Sequence, residues 1–68
     1  MVNNIRVLRI RSGLTQRELG TISGVSSNKI SDYERSDDIR NITLNNAYRI
    51  AEALGVTIND LVYPLSEQ

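Results

Sequence analysis

Between Ser26 and Arg35, helical spacing puts Ile30 and Tyr33, three residues apart, on one side and turns Asn28, Ser31, Asp32 and Arg35 toward the other. That outward side is polar and mostly short-chained, and each group on it donates or accepts hydrogen bonds. An amide can pair with an adenine edge, a carboxylate can accept from the amino group of a cytosine, and a hydroxyl is a permissive reader of either kind. Such a face suits the edges of bases in a groove. Bond-making chemistry lacks its usual parts. The chain has no histidine and no cysteine, which removes the commonest general base, disulfides and thiolate metal sites. It has no glycine-rich phosphate loop either, so no enzyme activity, metal or cofactor is expected.

A reading face needs a helix held at a fixed angle, and the residues upstream supply the means. Thr15 and Glu18 form the T-x-x-E pattern of a capped helix start, and Leu19 and Ile22 follow at one-turn spacing. Gly24 stands where the chain must turn sharply, in a left-handed conformation that glycine adopts at little cost, and Ser26 caps the next helix. From Leu14 to Glu34 there is room for two short helices and one glycine turn, the layout of a helix-turn-helix, whose second helix enters the DNA major groove.

The whole chain reads as five helices and no strands. The first spans about residues 4 to 12, with Ile5 and Leu8 facing the core and Gly13 ending it. Residues 35 to 42 are polar and loop-like. Thr43 then caps a helix on which Leu44, Ala47, Ile50, Ala51 and Leu54 recur, and Gly55 stops it. Thr57 and Asp60 cap a short last helix carrying Ile58, Leu61 and Val62, with Pro64 at its end. Tyr33 is expected in the core with its hydroxyl at the surface. Val7, Ile10 and Leu14 make a second apolar row on the first helix. Leu14 belongs with the core, and the tail, with Tyr63 and Leu65, is expected to fold over Val7 and Ile10. The alternative is that the row is open to a partner.

Sixty-eight residues suffice for one small domain, 1 to 68, with its core over about 4 to 62 and a short tail at 63 to 68. No second, effector-sensing domain and no small-molecule ligand are expected, so regulation would come through assembly or partners. The sequence has no apolar run of about 18 residues and no signal-peptide core, which points away from membranes and toward the cytoplasm of a bacterium or phage-infected host. Formal net charge is zero, unusual for a protein that sits on phosphates. The distribution is uneven: residues 1 to 35 hold six basic against three acidic side chains, so the local field there is positive.

Many positions match one family at fixed spacing. Leu14, Thr15, Gln16, Glu18 and Leu19, with Gly20 at a small-residue position, Gly24-Val25-Ser26 at the turn, and Ile30, Glu34 and Arg35 after it, resemble the helix-turn-helix of the Cro and phage-repressor (XRE-type) proteins. Arg40, Asn41, Thr43 and Leu44 resemble that family's R-N-x-S/T-L segment, and Ile50 to Val56 its fourth helix and exit, so the likeness covers roughly residues 4 to 62. The resemblance implies an all-α, compact five-helix lambda-repressor-like fold that binds double-stranded DNA. It implies base contacts from Ser27, Asn28, Ser31 and Asp32, and phosphate contacts from Gln16, Arg17, Ser26, Lys29, Arg40 and Asn41. It assigns Arg9 and Glu34 to a buried structural ion pair. Homodimerisation is implied too, through Val56, Ile58, Val62, Tyr63 and Leu65.

The sequence departs from that family in three places. The position of Asp32 is often basic or amide-bearing in relatives, and a carboxylate there either reads cytosine or weakens binding. Ser36 stands where glycine is common, followed by Asp37-Asp38 and about two extra residues, so the exit from the third helix, the second of the motif, must differ. Ile42 replaces a proline. The resulting expectation is a transcriptional regulator, a repressor occupying a pseudo-palindromic operator, with RNA polymerase or an antagonist protein as further partners. Activation is the other sign left open, with Asp37, Asp38 and Glu34 as the nearby carboxylates for a polymerase contact. The alternative is a protein-interaction module such as a toxin-neutralising antitoxin or an antirepressor.

Overall fold

Thr15, Ser26, Thr43 and Thr57 each precede a helix, and in each the side-chain oxygen accepts the backbone N–H three residues on, at 3.0 to 3.2 Å. These caps satisfy N–H groups that a helix start otherwise leaves unpaired. They open α2 (Gln16–Ser23), α3 (Ser27–Arg35), α4 (Leu44–Leu54) and α5 (Ile58–Val62); α1 (Ile5–Arg11) precedes them, and a 3-10 turn (Ile39–Asn41) lies between α3 and α4. At α2 and α5 the cap is reciprocal, with Glu18 and Asp60 accepting from the backbone N–H of Thr15 and Thr57. The structure, a computed structural model, describes residues 2–36 and 39–65, and of Arg40 the backbone alone. The expectations for Asp37, Asp38 and the Arg40 side chain lie outside the described residues. Those residues contain no strand, and none of their helices is long and apolar enough to cross a membrane.

Each helix gives its inward residues to one core. Ile5, Leu19, Ile30, Ile50 and Leu61 are fully buried, and Leu8, Val25, Tyr33, Ala47 and Ala51 complete the layer. Burying each large aliphatic side chain contributes about 1.5–3 kcal/mol, enough to set helix positions. The first residues are also tied to the last helix. Val2 N–H donates to Val62 O and Asn4 N–H to Leu61 O, both at 3.0 Å, and the Asn4 amide donates to Asp60 O and Tyr63 O.

Four expectations need correction. Ile22 does not continue the buried row of Leu19: three residues turn a helix about 300°, and Ser23, four residues on, takes the inward place while Ile22 is 58% exposed. Leu44 has a suitable angle, but it is the first residue of α4 and burial begins a turn later at Ala47, leaving Leu44 76% exposed. Tyr63 and Leu65 do not cover Val7 and Ile10, which are 43% and 55% exposed. Leu65 instead packs on the core and Tyr63 is turned to solvent, because the chain leaving α5 is held beside residues 2 to 4. Within the stretch read as a polar loop, Ile39 is buried to 2% exposure in the 3-10 turn.

Candidate nucleic-acid interface

The angle between α2 and α3 is set by backbone contact. A Cβ built on Gly20 would lie 2.8 Å from Val25 O and 3.3 Å from Ser27 N, so the start of α3 rests against a position where only hydrogen fits. Gly24 closes α2 in the left-handed region at φ 75°, with its N–H on Gly20 O. Val25 is then buried, and its N–H donates to the Ser23 hydroxyl at 3.2 Å, which leaves Ser26 in extended backbone as the cap of α3.

On α3, Ile30 and Tyr33 point inward and Ser27, Asn28, Lys29, Asp32 and Arg35 are exposed, with Ser31 half-buried. Ser26 and Arg17 are exposed beside them, and Asn41 is exposed in the 3-10 turn. Asp32 does not stand alone: its Oδ1 accepts from Arg35 Nη2. The Tyr33 hydroxyl accepts from the Asn46 amide at 2.9 Å, which links α3 to α4.

Behind that face, Glu34 joins three elements. Its carboxylate accepts from Arg9 through Nε at 2.6 Å and Nη2 at 3.0 Å, and from the Gln16 amide at 3.3 Å. Arg9 also donates from Nη1 to Leu14 O at 2.8 Å. Hydrogen bonding to Glu34 holds the Arg9 guanidinium above its ordinary pKa. Gln16, the first residue of α2, is therefore fixed against the end of α3. At the same helix start, hydrogen bonding first from the Thr15 backbone N–H and then from its side chain holds the Glu18 carboxyl below its ordinary range.

The exit from α3 uses a residue that sequence reasoning missed. Ser36 is extended, at φ −80° and ψ 133°, where a left-handed glycine would otherwise terminate the helix. The Asn3 amide takes over, donating to Tyr33 O at 2.6 Å and to Ser36 O at 2.9 Å. The local signal in Asn3 was its place before α1, where its Oδ1 accepts from Ile5 N–H; its reach to α3 had none.

The residues considered for self-association lie elsewhere. Val56, Ile58, Val62 and Leu65 are half-buried against the core and Tyr63 is 58% exposed. Val56 and Ile58 line a shallow groove with Tyr48 and Glu52. The Tyr48 hydroxyl donates to Glu52, which raises its pKa.

Comparison with known proteins agrees with this geometry. A family model described as helix-turn-helix matches residues 5–61. An uncharacterized HTH-type transcriptional regulator, y4dJ, of Sinorhizobium fredii is 42% identical over 65 residues, covering 96% of this chain and 82% of the relative.

Proposed function

The chain belongs to the helix-turn-helix family of DNA-binding transcriptional regulators, and we propose that it is a Cro-like repressor whose α3 reads a pseudo-palindromic operator from the major groove. It is a DNA-binding regulator and not an enzyme. The observation that carries the proposal is the outward side of α3, where Ser27, Asn28, Lys29, Asp32 and Arg35 stand in solvent on a helix fixed from behind by Gly20 and Glu34. In this reading Ser27, Asn28, Ser31 and Asp32 meet base edges. Gln16, Arg17, Ser26, Lys29, Arg40 and Asn41 hold phosphates and set the register.

Groove spacing argues for two copies. The chain carries one reading helix, α3, and successive major grooves on one face of DNA lie roughly 34 Å apart. One copy covers one half-site, and a second doubles the contacts that specificity needs. Val56, Ile58, Val62, Tyr63 and Leu65 are the proposed surface of that homodimer. The working compartment is the cytoplasm, and blocking RNA polymerase at a promoter is the simplest consequence of occupancy.

A second reading, a protein-interaction module of antitoxin or antirepressor type, draws on one observation: Val7 and Ile10 are neighbours on α1 and are 43% and 55% exposed. Selection of bound sequences from a random duplex library with purified protein decides between the two. A two-fold symmetric site whose affinity falls steeply with salt supports the operator reading. Absence of enrichment even at low salt overturns it in favour of a protein partner.

A further inference from the structure

Asp32 is the group on the outer side of α3 that DNA phosphates should repel, yet it carries its own counter-charge. Arg35, one turn on, donates from Nη2 to Asp32 Oδ1, and the two side chains are 73% and 60% exposed for Arg35 and Asp32 respectively. In water so exposed a pair does little for the fold, because solvent competes for both charges. In a groove the balance changes. Water is displaced, attraction between the two charges strengthens, and the carboxylate enters the phosphate field already neutralised.

The groups left over after this contact are specific. Asp32 keeps Oδ2 as an acceptor, and Arg35 keeps the rest of its planar donor fork. A C·G pair offers the complement in the major groove: the cytosine amino group donates, and guanine O6 and N7 accept side by side. Asn28, Asp32 and Arg35 follow one another at four and three residues, a stripe about 10 Å long, or about three base steps.

Resting on the DNA-reading function proposed above, we infer that Asp32 and Arg35 act as one reader of a C·G pair. Asp32 accepts from the cytosine amino group, and Arg35 donates to O6 and N7 of the guanine paired with it. Arg35 is then a specificity-determining residue rather than a phosphate anchor, and the acidic residue at position 32 is part of the recognition code.

The test compares wild type, Asp32→Asn, Arg35→Lys and Arg35→Gln on the duplex that wild type selects and on versions with each base pair replaced. Melting curves of the free proteins check that all four fold alike. The wild-type site is expected to hold a C·G pair in each half, with replacement lowering affinity about tenfold or more. Asp32→Asn should lose the cytosine preference. Arg35→Lys keeps the charge but not the fork that holds Asp32 and the guanine together, so it should weaken guanine discrimination at unchanged salt dependence, and Arg35→Gln should lose it. If Arg35→Gln leaves all preferences intact, or weakens every sequence equally and lowers the salt slope by about one, Arg35 grips a phosphate and the shared reader is wrong. A selected site without C·G also overturns the pair alone. No selected site at all overturns the operator reading and the pair with it.

Discussion

Arg9 and Glu34 meet through two hydrogen bonds, Nε to Oε2 at 2.6 Å and Nη2 to Oε1 at 3.0 Å, with only 13% and 3% of their side chains exposed. The pair locks α1 to the last turn of α3 and, through Leu14 O, to the approach to α2. Glu34→Leu alone leaves a guanidinium facing an apolar side chain and is expected to cost about 3–5 kcal/mol in urea denaturation. Arg9→Met with Glu34→Leu removes both charges and should recover most of that loss. If the double variant is no more stable than the single one, the cost comes from packing rather than from the stranded charge.

Gly20 offers a test of how the two helices of the motif are spaced. Inside a helix, Gly→Ala ordinarily stabilises by about 1 kcal/mol. Here the added methyl would sit 2.8 Å from Val25 O, a backbone atom that cannot rotate away. Gly20→Ala is therefore expected to reverse sign and destabilise by about 1–3 kcal/mol, and the forced shift of α3 should lower DNA affinity as well. A thermal melt with equal or higher midpoint would show that the α2–α3 contact relaxes freely.

The starts of α2, α3, α4 and α5 were legible in the sequence because a cap is local: Thr15 meets Glu18 and Thr57 meets Asp60 three residues away. The outward side of α3 was legible for the same reason, since Ile30 and Tyr33 fix the helix's angle by themselves. Ile22 and Leu44 were not, because periodicity gives a direction but not what lies opposite. Ile39 was hidden because a lone apolar residue in a turn has no period to announce it. Asn3 was out of reach: its partners lie 30 and 33 residues along the chain, and its type signals only the nearby helix start.

Asn3 should accordingly matter more than its position near the start of the chain suggests. Its amide donates to Tyr33 O, which also accepts from Ser36 N–H at 3.2 Å, and to Ser36 O, carbonyls at the end of the helix that carries the reading face. Asn3→Ala leaves both without that donor, at an expected cost of about 1–3 kcal/mol. Hydrogen exchange is the sharper readout, with faster exchange expected in the last turn of α3 than in α4. Uniform acceleration across all helices would mean that Asn3 supports the fold generally and not this helix end.

The cap of α2 makes a prediction about acid. Hydrogen bonds from Thr15 hold the Glu18 carboxyl below its ordinary pKa, so its contribution to stability is present above the unfolded pKa and is lost as pH falls through the folded value. Glu18→Gln still offers an acceptor to Thr15 N–H but does not titrate in this range. Stability against urea should fall less between neutral pH and about pH 3 in Glu18→Gln than in wild type. Parallel pH profiles would show that the cap adds nothing charge-dependent.

Gln16 ties the interface to the interior, because its amide donates to the same Glu34 oxygen that accepts from Arg9 Nη2. That contact fixes the side chain at the first position of α2, where helix N–H groups favour an anion, so a phosphate would meet a donor already in place. Gln16→Ala should weaken binding about tenfold and almost equally across operator sequences, since a phosphate carries no base identity. Salt dependence should stay as in wild type, because no charge is removed. Gln16→Glu is the harsher variant, setting a second carboxylate beside Glu34 and against the phosphate, and both stability and affinity should drop below those of Gln16→Ala. Unchanged affinity in Gln16→Ala would mean that the residue serves Glu34 alone, and a changed base preference would make it a reader instead of an anchor.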